Sequence, residues 1–235
     1  MPQENGSIRT LTVDIGGSGV KTMVLDEAGN ALTERNRVQT PQPPKPNAVI
    51  DAIAQLAAQQ GEFHRVSVGF PGVVRGGVTH TAVNLDPDWV EFDFARVLSQ
   101  RLGKPVRVAN DADVQGMGAI AGKGVELVIT LGTGFGSALF VDGKLVPNLE
   151  MGHHPFRKGE TYEEQLGRAA LDKAGQNKWN NRLGKAIATL ERLFNYDFLY
   201  IGGGEAKKIT IELPSNVKIV PNVTGLFGGI ALWRD

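Results

Sequence analysis

The chain has 235 residues, of which 41% are hydrophobic, enough for a sizeable core in one large domain or two small ones. Its 25 basic residues balance 25 acidic ones with no run of either sign, so nothing in it suggests a nucleic-acid or anionic-membrane partner, and phosphate binding has to come from local geometry. The absence of cysteine excludes disulfides and thiolate metal sites and fits a reducing, cytoplasmic setting, while the first ten residues and the most apolar stretch, 127–141, are no leader and no membrane span.

In chain order, residues 13–26 (VDIGGSGVKTMVLD) read as a strand, a tight glycine turn and a returning strand. The Pro-rich segment 40–46 (TPQPPKP) must be extended and crosses the surface. Asn47 then reads as the N-cap of an amphipathic helix over 48–60, closed by Gly61. A strand follows at 66–70, a Gly-, Asn-, Asp- and Pro-rich loop at 71–90, and a helix at 94–102 stopped by Gly103. Residues 106–121 read as a strand running through a polar turn into a small-residue helix. A second glycine hairpin occupies 129–142, and helical spacing of apolar residues recurs over 162–174 and 179–194. Alternating strands and helices make the chain α/β.

The chain repeats itself. At a constant offset of 116, 129–142 (ITLGTGFGSALFVD) aligns with the first hairpin without a gap, apolar on apolar. Strands ending in glycines recur at 66–72 and 199–204, and 106–121 resembles 217–232. Three elements in the same order indicate duplication, with each half presenting a ring of backbone N–H groups suited to phosphate. The halves are set at 1–112, completed by a C-terminal helix at 223–235, and 113–222.

The repeat is chemically uneven. Asp14 precedes the first glycine turn, and its counterpart is Thr130. A carboxylate beside a phosphate cradle is unfavourable unless a cation lies between them, so Asp14 reads either as a holder of Mg²⁺, directly or through water, or as a turn cap. Lys21 is either a donor contact or a solvated strand residue. Gly132, Thr133 and Gly134 offer backbone donors and a hydroxyl with no carboxylate nearby, which makes this turn the better direct phosphate site. Neither turn is a dinucleotide fingerprint, since a strand and not a helix follows, and no GK[ST] occurs. In VANDADV, Asp111 stands where a strand meets a helix, placed to accept the proton of an attacking hydroxyl; the competing role for Asp111 or Asp113 is capping the helix. Its counterpart Asn222 can cap but cannot act as a base. Glu150, His153 and His154 form a third cluster, suited to gripping sugar hydroxyls or to binding a metal, with Glu160 and Glu164 on a solvated face.

Six ordered motifs, DIGGSGVK, FPGVV followed by TAVNLDPDW, NDAD, TLGTGFGS, PNLEMGHH and IGGG, resemble the ROK group of sugar kinases, nearest to its polyphosphate glucokinase branch. The resemblance spans about 11–232. It implies a duplicated actin-like, ribonuclease H-like α/β fold of two lobes with an interlobe cleft, and transfer of a phosphoryl group from polyphosphate or ATP to the 6-hydroxyl of glucose. By it, Asp111 matches the catalytic base, and Asn84, Asn110, Glu150, His153 and Glu163 match sugar contacts. Asp14, Gly16, Gly17 and Ser18 fall in the first phosphate motif, with Lys21 beside it, Gly132, Thr133 and Gly134 in the second, and Gly202, Gly203 and Gly204 in the distal donor segment.

Departures sharpen the expectation. Many ROK kinases carry a Cys-rich zinc motif after the E-x-G-H; this chain has HPFRKGETYEEQLG there, so Mg²⁺ is expected and zinc is not. The first hairpin begins near residue 11, leaving no room for the repressors' DNA-binding domain, so no nucleic-acid partner is expected. A homodimer is implied. The alternatives are a kinase for N-acetylmannosamine, N-acetylglucosamine or fructose, and a non-catalytic sugar sensor.

Overall fold

A computed structural model of the chain describes residues 7–82, 85–221 and 224–234. The chain forms two compact units, one running to residue 118 and completed from 225 onward, the other covering 119–224.

In the first unit, β1 (Thr10–Gly16) and β2 (Gly19–Leu25) make the expected hairpin, β3 (Asn36–Val38) extends it, and α1 (Pro46–Ala58) leads to β4 (Arg65–Phe70). Val49, Ile50, Ile53, Leu56 and Ala57 recur at helical spacing and are all buried, which fixes the inward face of α1. The helix begins two residues earlier than expected: Pro46 occupies its first turn, where a missing N–H costs nothing, and Lys45 rather than Asn47 is the N-cap. The stretch 71–90 is not all loop. It carries β5 (Val74–Arg75) and β6 (Val78–Thr79), which with β7 (Phe92–Asp93) form a three-stranded antiparallel sheet over Phe70, Trp89 and Phe94. The helix α2 (Phe94–Leu102) ends at Gly103, in the left-handed conformation expected of a glycine stop. The unit continues with β8 (Val106–Asn110) and α3 (Asp111–Met117), and its main sheet has the order β3-β2-β1-β4-β8 with β1, β4 and β8 parallel. Because α3 packs against β4 and the C-terminal segment, the chain leaves this unit after 118 rather than at 112. That segment is a short α-turn (Thr224–Phe227) and a 3-10 helix (Gly228–Trp233) rather than one helix. Trp233 lies between the Arg65 and Arg107 guanidiniums, 4.9 and 4.6 Å from its ring centre, and its indole N–H donates to Ser67 Oγ at 2.8 Å.

The second unit runs β9 (Val125–Leu131), β10 (Phe135–Val141), β11 (Lys144–Val146), β12 (Pro155–Arg157), β13 (Glu160–Thr161), α4 (Tyr162–Leu166), α5 (Arg168–Ala174), α6 (Gln176–Phe194), β14 (Phe198–Gly202) and β15 (Val217–Ile219). Its main sheet has the order β11-β10-β9-β14-β15, strand for strand the order of the first unit. The parallel registers agree at the uneven position: Asp14 pairs with Gly69, and Thr130 with Gly202. The hairpins differ by one residue, however. Gly16 pairs with Gly19 around a two-residue turn, whereas Leu131 pairs with Phe135 around three, so Thr130 faces Gly136 and not the Ser137 of a gap-free alignment. The fully buried Glu126 accepts from the backbone N–H groups of Ala121, Gly122 and Lys123 and from the Tyr200 hydroxyl, anchoring the segment that enters the sheet. The helix expected at 162–174 is two, broken at Gly167. Among the described residues no helix is long and apolar enough to cross a membrane.

Candidate active site

In the first unit the carboxylates of interest gather at the C-terminal ends of parallel strands, where ligands bind in open α/β sheets. Asp14 on β1 is paired with Gly69 on β4, and a Cβ added to Gly69 would stand 3.3 Å from Asp111 Cα. The bare glycine therefore lets the start of α3 lie against the sheet, and Asp14 and Asp111 flank it. Lys21, opposite Asp14 in the hairpin, donates from Nζ to Asp14 Oδ2 at 2.7 Å, with both side chains about a quarter exposed at 26% and 28%. The adjoining turn is braced from outside: Arg37 Nη2 donates to Ser18 O at 3.1 Å and Thr40 Oγ1 to Gly16 O at 2.6 Å. Gly17 and Ser18 themselves are exposed.

The capping alternative for Asp111 falls to its neighbour. Asn110 is the N-cap of α3, its Oδ1 accepting from Ala112 N at 2.8 Å and Asp113 N at 3.3 Å, while its Nδ2 donates to Gly72 O at 3.1 Å. That makes Asn110 a brace between the strand end, the helix and the loop at Gly72. Asp113 is buried, whereas Asp111 stays half-buried with Oδ1 on Ala112 N at 2.8 Å. Asn84 and Asn222 lie outside the described residues.

In the second unit, four separated segments meet around the turn 132–134. Gly132 N donates to Gly134 O at 3.1 Å, and Gly132 O accepts from Arg168 N at 2.9 Å. Gly167, extended at ψ 171°, separates α4 from α5 where a Cβ would press on Glu163 O and Thr133 O, and Arg168 N donates to Gly132 O in the hairpin. Gly203, at φ +89°, packs its bare Cα on Leu131, and Glu205 N donates to Leu131 O at 2.9 Å, so the segment 202–204 lies along the end of β9. Arg168 links these pieces, with Nη1 on Glu205 Oε1 and Nε on Asp172, each at 2.9 Å. Sequence reasoning missed Arg168; its only local signal is its place directly after a glycine that interrupts a helical pattern.

The expectation that no carboxylate lies near this turn is corrected. Glu163 Oε2 accepts from Phe135 N at 3.1 Å and fills the space that Gly134 leaves by having no side chain. The cause is the Thr161–Glu164 capping box, which starts α4 and folds it back onto the hairpin with Glu163 facing the turn. Glu164 is thereby committed to capping and exposed, and the Glu160 carboxylate accepts from Gln165 Nε2. Glu150 and His153 sit close by on a 3-10 turn that Met151 N fastens to Ser137 Oγ at 3.2 Å, and the His153 Nε2 to Glu150 Oε2 distance is 3.7 Å. Burial holds the Glu150 carboxyl above its ordinary range; His153 opposes this and the Glu163 charge adds to it, which places the two carboxylates in one electrostatic environment. His154 turns away, its Nδ1 on Pro155 O at 2.9 Å.

Among the described residues no group of three or more His, Asp or Glu is arranged to hold a metal ion. The carboxylates that could serve a magnesium ion, which takes one or two carboxylates and completes its shell with water and substrate phosphate, are Asp111 and Asp14, the latter with its Oδ2 on Lys21.

Two sheets of identical strand order, each with a glycine-turn hairpin, define the duplicated actin-like α/β fold, and the chain belongs to the ROK family, whose model matches residues 10–163. It is 32% identical to the polyphosphate glucokinase of Mycobacterium tuberculosis over 92% of this chain and 88% of that one. Among solved structures, the inorganic polyphosphate/ATP-glucomannokinase from Arthrobacter sp. strain KM matches with a TM-score of 0.87 at 36% identity, covering 95% of this chain and 97% of that one. A ROK family glucokinase from Streptomyces griseus, solved in complex with glucose and AMPPNP, matches at 0.81 and 22% identity over 95% and 98%, a likeness of fold.

Proposed function

We propose that this chain is a glucose kinase that transfers a phosphoryl group from polyphosphate or ATP to the sugar's 6-hydroxyl. The observation that carries this reading is the broken symmetry: two sheets repeat strand for strand, yet only the first carries a carboxylate at the strand end beside the glycine hairpin, with a second, Asp111, across Gly69. The relatives spanning nearly the whole chain, a polyphosphate glucokinase and a polyphosphate/ATP-glucomannokinase, support glucose as acceptor and polyphosphate as one donor.

In this reading Asp111 accepts the proton of the 6-hydroxyl as it attacks, and Asn110 keeps Asp111 in place by capping α3. Glu150, His153 and Glu163, with Asn84, hold the remaining hydroxyls. Backbone N–H groups of both glycine turns offset charge on the transferred phosphoryl, and Gly202, Gly203 and Gly204 line the distal donor. Asp14, held by Lys21, would carry Mg²⁺ through water, which when bound neutralises donor phosphate charge. Glu163 acts twice, since by taking Phe135 N it also sets the shape of the second turn. The chain works in the cytoplasm as a homodimer, the latter checked by light scattering in solution.

The deciding assay couples glucose 6-phosphate formation to a dehydrogenase, with glucose and either ATP or polyphosphate. Asp111→Asn should lower kcat by about a hundredfold or more, the scale of a lost general base, with an unchanged melting temperature. Near-wild-type turnover in that variant would remove Asp111 from the role. Wild-type protein that binds glucose and forms no phosphate ester would instead be a sugar sensor, and turnover of N-acetylmannosamine, N-acetylglucosamine or fructose in preference to glucose would reassign the acceptor.

A further inference from the structure

Outside the site described, a groove of about 450 Å³ in the second unit is lined by Arg157, Lys158, Lys178, Asn181, Arg182 and Lys185. Five of the six are cationic, in a chain whose charges cancel overall. Residues 178, 182 and 185 fall on one face of α6 at helical spacing, and Arg157 and Lys158 come from the tip of the β12–β13 hairpin. Among the described residues Arg157, Lys158, Lys178 and Lys185 form no ion pair. The carboxylate opposite Arg157 in that hairpin, Glu160, accepts from Gln165 Nε2. Arg182 alone is tethered, donating from Nη1 to Gln165 O at 3.3 Å.

Like charges brought together without partners repel one another, so the arrangement is unfavourable until an anion fills it. The hairpin tip adds a second cost. Lys158 has φ +56° before Gly159 at φ +77°, a turn that asparagine or glycine adopts far more readily than lysine. A lysine at this less favourable position adds to the groove a charge that the turn itself does not call for.

The groove and the second glycine turn both border the short helix α4: Glu163 touches the turn through Phe135 N, and two residues later the Gln165 carbonyl receives Arg182. A ligand with its reacting end at 132–134 reaches the groove only if it is long and carries negative charge along its length. A nucleoside triphosphate ends after three phosphates, whereas inorganic polyphosphate carries a charge on every unit.

We propose that this groove binds the distal phosphates of an inorganic polyphosphate chain, so that the enzyme holds long donors by their tails. The inference rests on the reading of polyphosphate as donor. The test compares wild type with the triple variant Lys158→Asn, Lys178→Gln and Lys185→Gln, which spares Arg182 and relieves the turn. Kinetics are measured with glucose and ATP, tripolyphosphate or long-chain polyphosphate, and binding of long-chain polyphosphate is measured directly by calorimetry. At low salt the variant's KM for the long chain should rise about tenfold, as expected from losing three exposed ion pairs, with KM for ATP and tripolyphosphate and kcat for every donor unchanged. An unchanged long-chain KM, or an equal rise for ATP, would overturn the proposal. A wild type that uses ATP but not polyphosphate would defeat the donor reading; calorimetry then decides the groove, with binding lost in the variant supporting it and binding retained rejecting it. A single-stranded oligonucleotide of equal charge that binds as tightly, and is lost equally, would reassign the groove to nucleic acid.

Discussion

At the residue scale, Asp14 and Asp111 are legible because each stands beside a local signal, a glycine turn or a strand end, that the backbone honours. The resemblance singles out Glu163, yet its bond to Phe135 N joins positions 28 residues apart, and no local pattern announces it. Arg168 is hidden for the same reason, since its partners on Gly132, Asp172 and Glu205 are assembled only by the fold. Glu150 illustrates the cost of such a site. Its carboxyl titrates above its ordinary 4.5 because burial strips its water, His153 opposing and Glu163 reinforcing. The folded chain thus holds this proton more tightly than the unfolded chain, and stability falls as the pH rises from 4.5 through the raised value. Glu150→Gln should therefore melt above wild type on the alkaline side of that window and level with it on the acid side. The same change should raise KM for glucose by about tenfold or more, the scale of a charge-assisted hydrogen bond made neutral. Melting curves from pH 4 to 8 alongside glucose titrations check both; a melting difference independent of pH would show that the carboxylate carries no burial penalty.

At the element scale, hairpins and capped helices read out well because their determinants are neighbours in sequence: α2 runs from Phe94 to Leu102 and stops at Gly103 as its pattern indicates. Elements shaped by distant backbone do not. At the split between α4 and α5, Gly167 passes close to Thr133 O, and the strands of the small sheet β5–β6–β7 put Val74 and Phe92 into one cluster with the Phe70, Trp89 and Phe94 rings. The loop after β14 combines both kinds of information. Its glycines are visible in the sequence, but that Gly203 needs φ +89° and leaves no room for a side chain against Leu131 is visible only in the structure. Gly203→Ala should accordingly lose about 2–4 kcal/mol, from left-handed strain together with displacement of packed backbone. Because the loop abuts the end of β9, donor KM should rise further than glucose KM. Denaturant unfolding and steady-state kinetics with each substrate varied measure the two effects; equal loss for both substrates would place the damage in global stability alone.

At the scale of the whole molecule, duplication is the most readable property of the chain, since an apolar pattern repeated at a fixed offset survives as two sheets of one strand order. What the repeat conceals is charge distribution. A balanced composition without charged runs gives no hint of five cations around one groove, because α6 and the β12–β13 hairpin contribute them from positions up to 28 residues apart. The same logic governs the broken symmetry between Asp14 and Thr130. In the first unit a carboxylate at the strand end is tolerated because Lys21 stands across the hairpin at 2.7 Å. In the second, the longer turn shifts the register so that Thr130 faces Gly136 on one side and Gly202 on the other, neither of which offers a cation. Thr130→Asp would place an uncompensated negative charge beside the turn 132–134, where Glu163 already occupies one N–H. Repulsion of the incoming donor should raise its KM by about tenfold, equivalent to about 1.4 kcal/mol, and the effect should shrink as salt is added. KM for glucose should hold steady, and Thr130→Ser should behave as wild type. A donor KM unmoved by Thr130→Asp at low salt would mean that the second turn does not face phosphate, and the cradle would then belong to the first hairpin alone.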